Sequence, residues 1–143
     1  MLPPATLIYT LALAFVSLLP GGPGAPGGWD RFLSPSTANF LHFPAYTVLT
    51  ILVLASAASR FGRRPIVTVS LVGACILLGV VLECLQAYIP GRFASLADMV
   101  TNAAGAAVGL LAWRYGVTKL SFLRPYREAV TDRSPGSAQR HPG

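Results

Sequence analysis

A chain of 143 residues has room for one compact domain of ordinary size. Charged residues make up 11% of it, apolar residues 53%, and the mean hydropathy is +0.58. A soluble domain carries roughly a quarter charged residues, so this composition excludes a soluble enzyme, a nucleic-acid-binding module and a disordered chain. A small integral membrane protein remains.

The formal net charge of +6 does not overturn that reading, because of where the charges sit. Residues 1–29, 32–59, 65–82 and 99–113 contain no charged side chain. Most of the basic residues gather in one short loop and in the C-terminal segment. A nucleic-acid partner calls for a basic stripe on a folded face. This pattern is instead the one by which a membrane protein orients itself.

In chain order, four apolar stretches are long enough to cross a hydrocarbon core of ~30 Å as helices. They cover residues 2–19, 37–58, 65–88 and 96–113. Residues 20–28 read PGGPGAPGG, a breaker-rich connection between the first two. Arg60, Arg63 and Arg64 make the second loop basic, and a turn around Pro90-Gly91 forms the third. Beyond Tyr115 the chain turns polar, and residues 134–143 have the composition of a disordered tail. The expectation is an all-α four-transmembrane-helix bundle in residues 1–117, followed by a basic cytoplasmic tail in 118–143. The first stretch lacks the basic n-region and the clean cleavage site of a signal peptide, which favours a retained span.

Loop charge gives the orientation. With the Arg60–Arg64 loop in the cytoplasm, four spans bring both termini there too (N-in/C-in). That side then holds Arg60, Arg63, Arg64, Arg114, Lys119, Arg124, Arg127, Arg133 and Arg140, and the outer side keeps only Arg31 and Arg92. The two cysteines, Cys75 and Cys84, are nine residues apart on one helix and face opposite sides, so they read as packing residues that cannot bridge.

This topology gives the polar residues of the spans a common depth near the outer face of the cell membrane. Asn39, His42 and Tyr46 fall in the first turns of the second helix, Glu83 and Gln86 in the last two turns of the third, and Asp98 and Asn102 at the start of the fourth. Arg92 occupies the turn between the last two helices. His42 and Tyr46 share a face, as do Asp98 and Asn102, each pair being four residues apart. Gly105 and Gly109 continue the Asp98/Asn102 stripe, and small residues at that spacing let another helix approach closely. The polar face of the fourth helix is therefore also its packing face.

Each member of the cluster has a structural alternative. Ser95-x-x-Asp98 matches a capping box. Arg92 could anchor the interface, pair with Glu83 or hold a ligand. Asn102 and Gln86 suit interhelical hydrogen bonds, and Tyr46 a core position. Glu83 is hardest to assign to packing alone, because it lies about a turn and a half inside an apolar helix. Arg92 beside the N-termini of the second and fourth helices would suit a phosphate or carboxylate. Glu83, His42 or Asp98 could move a proton. A His with two carboxylates at these spacings follows no standard metal motif, and GxSxG, HExxH, P-loop and CxxC patterns are absent, so neither a metal nor a cofactor is expected.

Four elements occur in order: His42-Phe43-Pro44-Ala45-Tyr46; Glu83-Cys84-Leu85-Gln86; Pro90-Gly91-Arg92; and Asp98-Met99-Val100-Thr101-Asn102-Ala103-Ala104-Gly105. Together they resemble the VanZ-like family of small membrane proteins, which is named for a protein associated with teicoplanin resistance. The likeness covers about residues 7–115. The family often carries an acidic residue and a Lys just before its His. Here the chain reads Asn39-Phe40-Leu41-His42, with Asp30 twelve residues upstream of the His.

The resemblance implies a four-helix membrane protein with an outward-facing polar cluster; it does not supply a reaction. The leading expectation is a cell-envelope protein that binds an anionic lipid headgroup or lipid-linked cell-wall precursor through His42, Tyr46, Glu83, Gln86, Arg92, Asp98 and Asn102, with a role in glycopeptide resistance open to it. The alternative is an enzyme acting on a lipid or glycan, with Glu83 or His42 as acid/base. The partners expected are membrane lipids and phosphorylated envelope precursors, with no nucleic acid; Gly105 and Gly109 serve contacts within one chain or between copies.

Overall fold

The computed structural model describes residues 3–20 and 35–122, with the side chains of 35–39 and 117–122 outside that description. The described residues form four helices and no strand: α1 (Pro4–Ser17), α2 (Pro35–Phe61), α3 (Pro65–Gln86) and α4 (Leu96–Phe122). The glycine-rich connection at 21–28, Asp30 and Arg31, the Asn39 side chain and the tail at 134–143 lie outside the described residues. The chain divides into two compact units, Met1–Trp113 and Arg114–Gly143. The site described below lies within the first.

Three helices are long and apolar enough to cross a membrane: Phe40–Phe61 of α2, α3, and Leu96–Gly116 of α4. The first helix is shorter than the apolar run that announces it. Its 14 residues span ~21 Å at the helical rise, short of a ~30 Å core. At its end the Leu18 N–H folds back on the carbonyls of Ala14 and Phe15, at 3.1 and 3.2 Å. Such shared bonds close a last turn. Proline at the first helical position starts both α1 and α3, where a missing N–H costs nothing.

Two helices run past their apolar stretches. α2 extends to Phe61 because Arg60 suits the negative end of the helix dipole, and Gly62, at φ 64°, then stops it. The fourth helix continues to Phe122, nine residues beyond the apolar run. Arg114 and Lys119 break the hydrophobic pattern, but neither breaks a helix.

Contacts between helices fix their directions. Thr6 Oγ1 meets Ser56 Oγ at 2.7 Å and Tyr9 OH donates to the Ala45 carbonyl at 3.0 Å, so α1 packs antiparallel to α2. Gly105 faces Phe43 and Gly109 faces Thr47, which makes α2 and α4 parallel. Gly79 of α3 faces Asn102 and Tyr46, Glu83 reaches Ser95 at the start of α4, and Cys75 meets Thr50, so α3 is antiparallel to both α2 and α4. Helices α1 and α3 therefore end where α2 and α4 begin. A buried cluster of Tyr46, Leu49 and Cys75, with Tyr9, Leu13, Val53 and Leu78 against it, forms the core.

The outside of this bundle is apolar. Only 22% to 33% of the residues in the most apolar stretch of each long helix are buried, and Ile8, Phe15, Phe40, Ile66, Leu77 and Val100 are exposed. Water would not tolerate so continuous an apolar surface on a monomer, whereas hydrocarbon does. Both cysteines are free, Cys75 buried and Cys84 exposed, as opposite faces of one helix require.

Candidate functional site

The polar residues meet where α1 and α3 end and α2 and α4 begin. Close backbone approach makes this possible. A Cβ on Gly105 would run into the Phe43 carbonyl, and one on Gly109 would lie 2.6 Å from the Thr47 carbonyl oxygen. Thr47 Oγ1 ties the two helices there, donating to the Phe43 carbonyl at 2.9 Å and the Gly105 carbonyl at 3.0 Å. Gly105 and Gly109 thus serve a contact within one chain. Gly79 leaves room on the third side, where an added Cβ would come within 3.1 Å of both Asn102 Cβ and the Tyr46 ring. Tyr46, buried to 1% exposure, fills the space between α3 and α4.

His42 and Asn102 join α2 to α4. His42 Nδ1 and Asn102 Oδ1 are 3.1 Å apart. Since an amide oxygen only accepts, the Nδ1–H of His42 is the donor in this contact. Asn102 is buried and His42 half-buried. An interhelical hydrogen bond from Asn102 is what packing alone would ask of it. The orientation of the imidazole is what it adds.

Glu83 is buried to 1% exposure, and its Oε1 accepts the Ser95 N–H at 2.6 Å. In a capping box the acid three residues after the cap would take that N–H. Here Ser95 Oγ accepts from the Asp98 N–H at 3.3 Å, the expected half of the box, but Glu83 from α3 supplies the other half. The Asp98 carboxyl group is thereby released from capping. Two buried carboxylate oxygens, Glu83 Oε2 and Asp98 Oδ1, have no hydrogen-bond partner among the described residues. Asp98, His42 and Arg92 all lie close enough to interact with the Glu83 charge.

Gln86 and Arg92 turn toward α1. Gln86 Nε2 donates to the Ser17 carbonyl at 3.0 Å in a buried bond, and Arg92 Nε donates to the Leu19 carbonyl at 3.2 Å. Both occupy the negative end of α1, where free carbonyls need donors. Arg92 is aimed there by a tight turn. Its N–H donates to the Ile89 carbonyl at 3.1 Å across Pro90 and Gly91, and Gly91 sits at φ 77°. Proline followed by a residue at positive φ is the signature of a type II turn. One Arg92 nitrogen is thus committed to structure, and the forked end of the guanidinium extends beyond it.

The expected site residues therefore fall into two connected groups. His42, Tyr46, Glu83, Asp98 and Asn102 sit between α2, α3 and α4; Gln86 and Arg92 bind α1 to the end of α3. α2 starts at Pro35, seven residues and ~10 Å before His42, whereas α4 starts at Leu96, two residues before Asp98. Only the start of α4 is at the site, and Glu83 already occupies part of it. The sequence reading missed Gly79, Thr47 and Thr50. Thr50 extends the His42/Tyr46 stripe by one more turn, is fully buried, and its side chain meets the Cys75 thiol of α3. That four-residue repeat was the available signal. The Ser17 and Leu19 carbonyls, being backbone, left none. Among the described residues no three His, Cys, Asp or Glu side chains group closely enough to hold a metal ion.

Apolar helices of spanning length, with a cluster of buried polar side chains packed between them near one end, define a small all-helical protein of membrane type. The VanZ/LLP1 family model matches residues 6–120, and the chain belongs to this family. No curated protein and no solved structure matches it.

Proposed function

We propose that this is a multi-pass protein of the cell membrane whose polar cluster opens at the outer face and binds the phosphate of an anionic lipid headgroup or lipid-linked cell-wall precursor. In this reading residues 1–117 form the membrane domain, N-in/C-in with all four helices crossing, and 118–143 a basic cytoplasmic tail. The direction of the helices supports it. The cluster and the Arg60–Arg64 loop lie at opposite ends of α2 and α3, so a cytoplasmic basic loop puts the cluster outside.

The single observation that carries the reading is Arg92. It is half-buried and held at one nitrogen by the Leu19 carbonyl, with Glu83 within electrostatic reach. An arginine fixed in this way keeps its remaining N–H groups pre-aimed, and a phosphate can accept two of them at once. Arg92→Ala and Arg92→Lys should each weaken binding of phosphatidylglycerol to the detergent-solubilised protein about tenfold or more, since a charge-assisted bond contributes ~1.5–3 kcal/mol and Lys lacks the fork. Equal affinity in wild type and both variants would refute the phosphate site. If the bound lipid is a cell-wall precursor, its sequestration would connect the protein to glycopeptide resistance.

His42 favours a second reading. Asn102 Oδ1 accepts from His42 Nδ1 and orients the ring, with the Glu83 carboxylate in range, which is an arrangement for proton transfer in an enzyme acting on a lipid or glycan. Glu83→Gln that folds and leaves every cellular phenotype intact would remove this alternative.

A further inference from the structure

Burial leaves two oxygens of the cluster with an unmet requirement. Glu83 is 1% exposed and Asp98 7% exposed. Both are held in place, Glu83 by the Ser95 N–H on its other oxygen and Asp98 by its position in the capped first turn of α4. Among the described residues neither Glu83 Oε2 nor Asp98 Oδ1 has a donor. Carboxylate oxygens so placed are costly unless something supplies hydrogen bonds.

We infer that Glu83 Oε2 and Asp98 Oδ1 form the seat of a primary ammonium group, carried by the same ligand whose phosphate meets Arg92. The inference rests on the phosphate reading above and names the ligand class: an amino-bearing phosphate headgroup rather than a purely anionic one.

Charge balance favours the ammonium. Formally, the two carboxylates and Arg92 together carry one net negative charge. A phosphate alone would make it more negative at a depth where unpaired charge is expensive. A hydroxyl donor could satisfy the oxygens but would not correct the charge. An ammonium supplies the N–H donors and offsets the charge that the phosphate adds. A divalent cation is disfavoured by ligand number, because hard cations need about six oxygens and, among the described residues, no trio of ligating side chains is close enough. A quaternary ammonium has no N–H to give and is recognised by aromatic faces rather than bare carboxylate oxygens.

The test compares three lipids with identical acyl chains, titrated onto the delipidated full-length protein in detergent: phosphatidylethanolamine, phosphatidylcholine and phosphatidylglycerol. Soluble phosphoethanolamine serves as a competitor. Phosphatidylethanolamine should bind at least fivefold tighter than either other lipid, and Asp98→Asn and Glu83→Gln should each erase that preference. The wild-type comparison needs no variant, and Asp98→Asn stands in if Glu83→Gln fails to fold. Competition by phosphoethanolamine at concentrations matching the lipid would confirm the seat and assign it a soluble ligand; failure to compete, with the preference intact, would assign it a lipid. Equal binding of all three lipids, still dependent on Arg92, would overturn the ammonium seat and leave the phosphate reading standing. Binding indifferent to Arg92 would overturn both.

Discussion

Glu83 Oε1 takes the Ser95 N–H at 2.6 Å, a bond that the local sequence Ser95-x-x-Asp98 would give to Asp98. A helix start is thus capped from a neighbouring helix, and the local acid is set free. Two substitutions separate the halves of this cap. Ser95→Ala removes only the hydroxyl that holds the Asp98 N–H and should cost about 0.5–2 kcal/mol. Ser95→Pro removes the donor itself and strands both oxygens of a buried carboxylate, so its loss should be larger. Thermal unfolding in detergent ranks them; equal loss would show that Glu83 contributes nothing to the cap. A second residue-scale contrast concerns glycines. Gly105→Ala forces a Cβ against the Phe43 carbonyl and should destabilise by ~1–3 kcal/mol. Gly73→Ala, with open space around it, should be neutral or slightly stabilising. Indistinguishable melting temperatures for the two would contradict the close approach of α2 and α4.

At the scale of elements, α1 stands apart from the other three. It is short, and its C-terminal end is held by side chains from outside the helix, Gln86 and Arg92. Gln86→Leu keeps the bulk of the side chain but leaves the Ser17 carbonyl without its donor. The expected result is faster amide hydrogen exchange at Leu18 and Leu19, with exchange in the central turns of α3 unchanged. Faster exchange throughout α3 would mean that Gln86 supports α3 rather than α1.

Element boundaries also show what could be read directly. Pro65 and the Pro90-Gly91 turn marked their positions because proline and glycine act on the backbone itself. The far end of α4 did not, since the apolar run reports where hydrocarbon would end and not where the helix ends. The stripe of Asp98, Asn102, Gly105 and Gly109 was legible because helical spacing puts those residues on one face whatever surrounds them. The pairing of Glu83 with Ser95 was not, because a backbone N–H has no sequence signature. Nor was the attachment of Arg92 to α1, which depends on a carbonyl 73 residues away.

For the whole molecule, the alternating directions of the helices place the polar cluster at one end of the bundle and the Arg60–Arg64 loop at the other. In the proposed orientation, cysteine at Phe93 should react with a membrane-impermeant maleimide in intact cells, in a background lacking Cys75 and Cys84. Cysteine at Phe61 should react only after permeabilisation. The reverse pattern would place the cluster on the cytoplasmic side. The VanZ/LLP1 family match covers residues 6–120 and so takes in all of α2 and α3, all but the ends of α1 and α4, and every member of the cluster.

The most direct measurement is native mass spectrometry of the protein released from its own membrane, comparing wild type with Arg92→Ala. A phosphate-bearing lipid should stay bound to the wild type after detergent removal and be depleted about tenfold or more in the variant, the loss expected for a charge-assisted contact. The same lipid retained to the same extent by both proteins would contradict a ligand site built around Arg92.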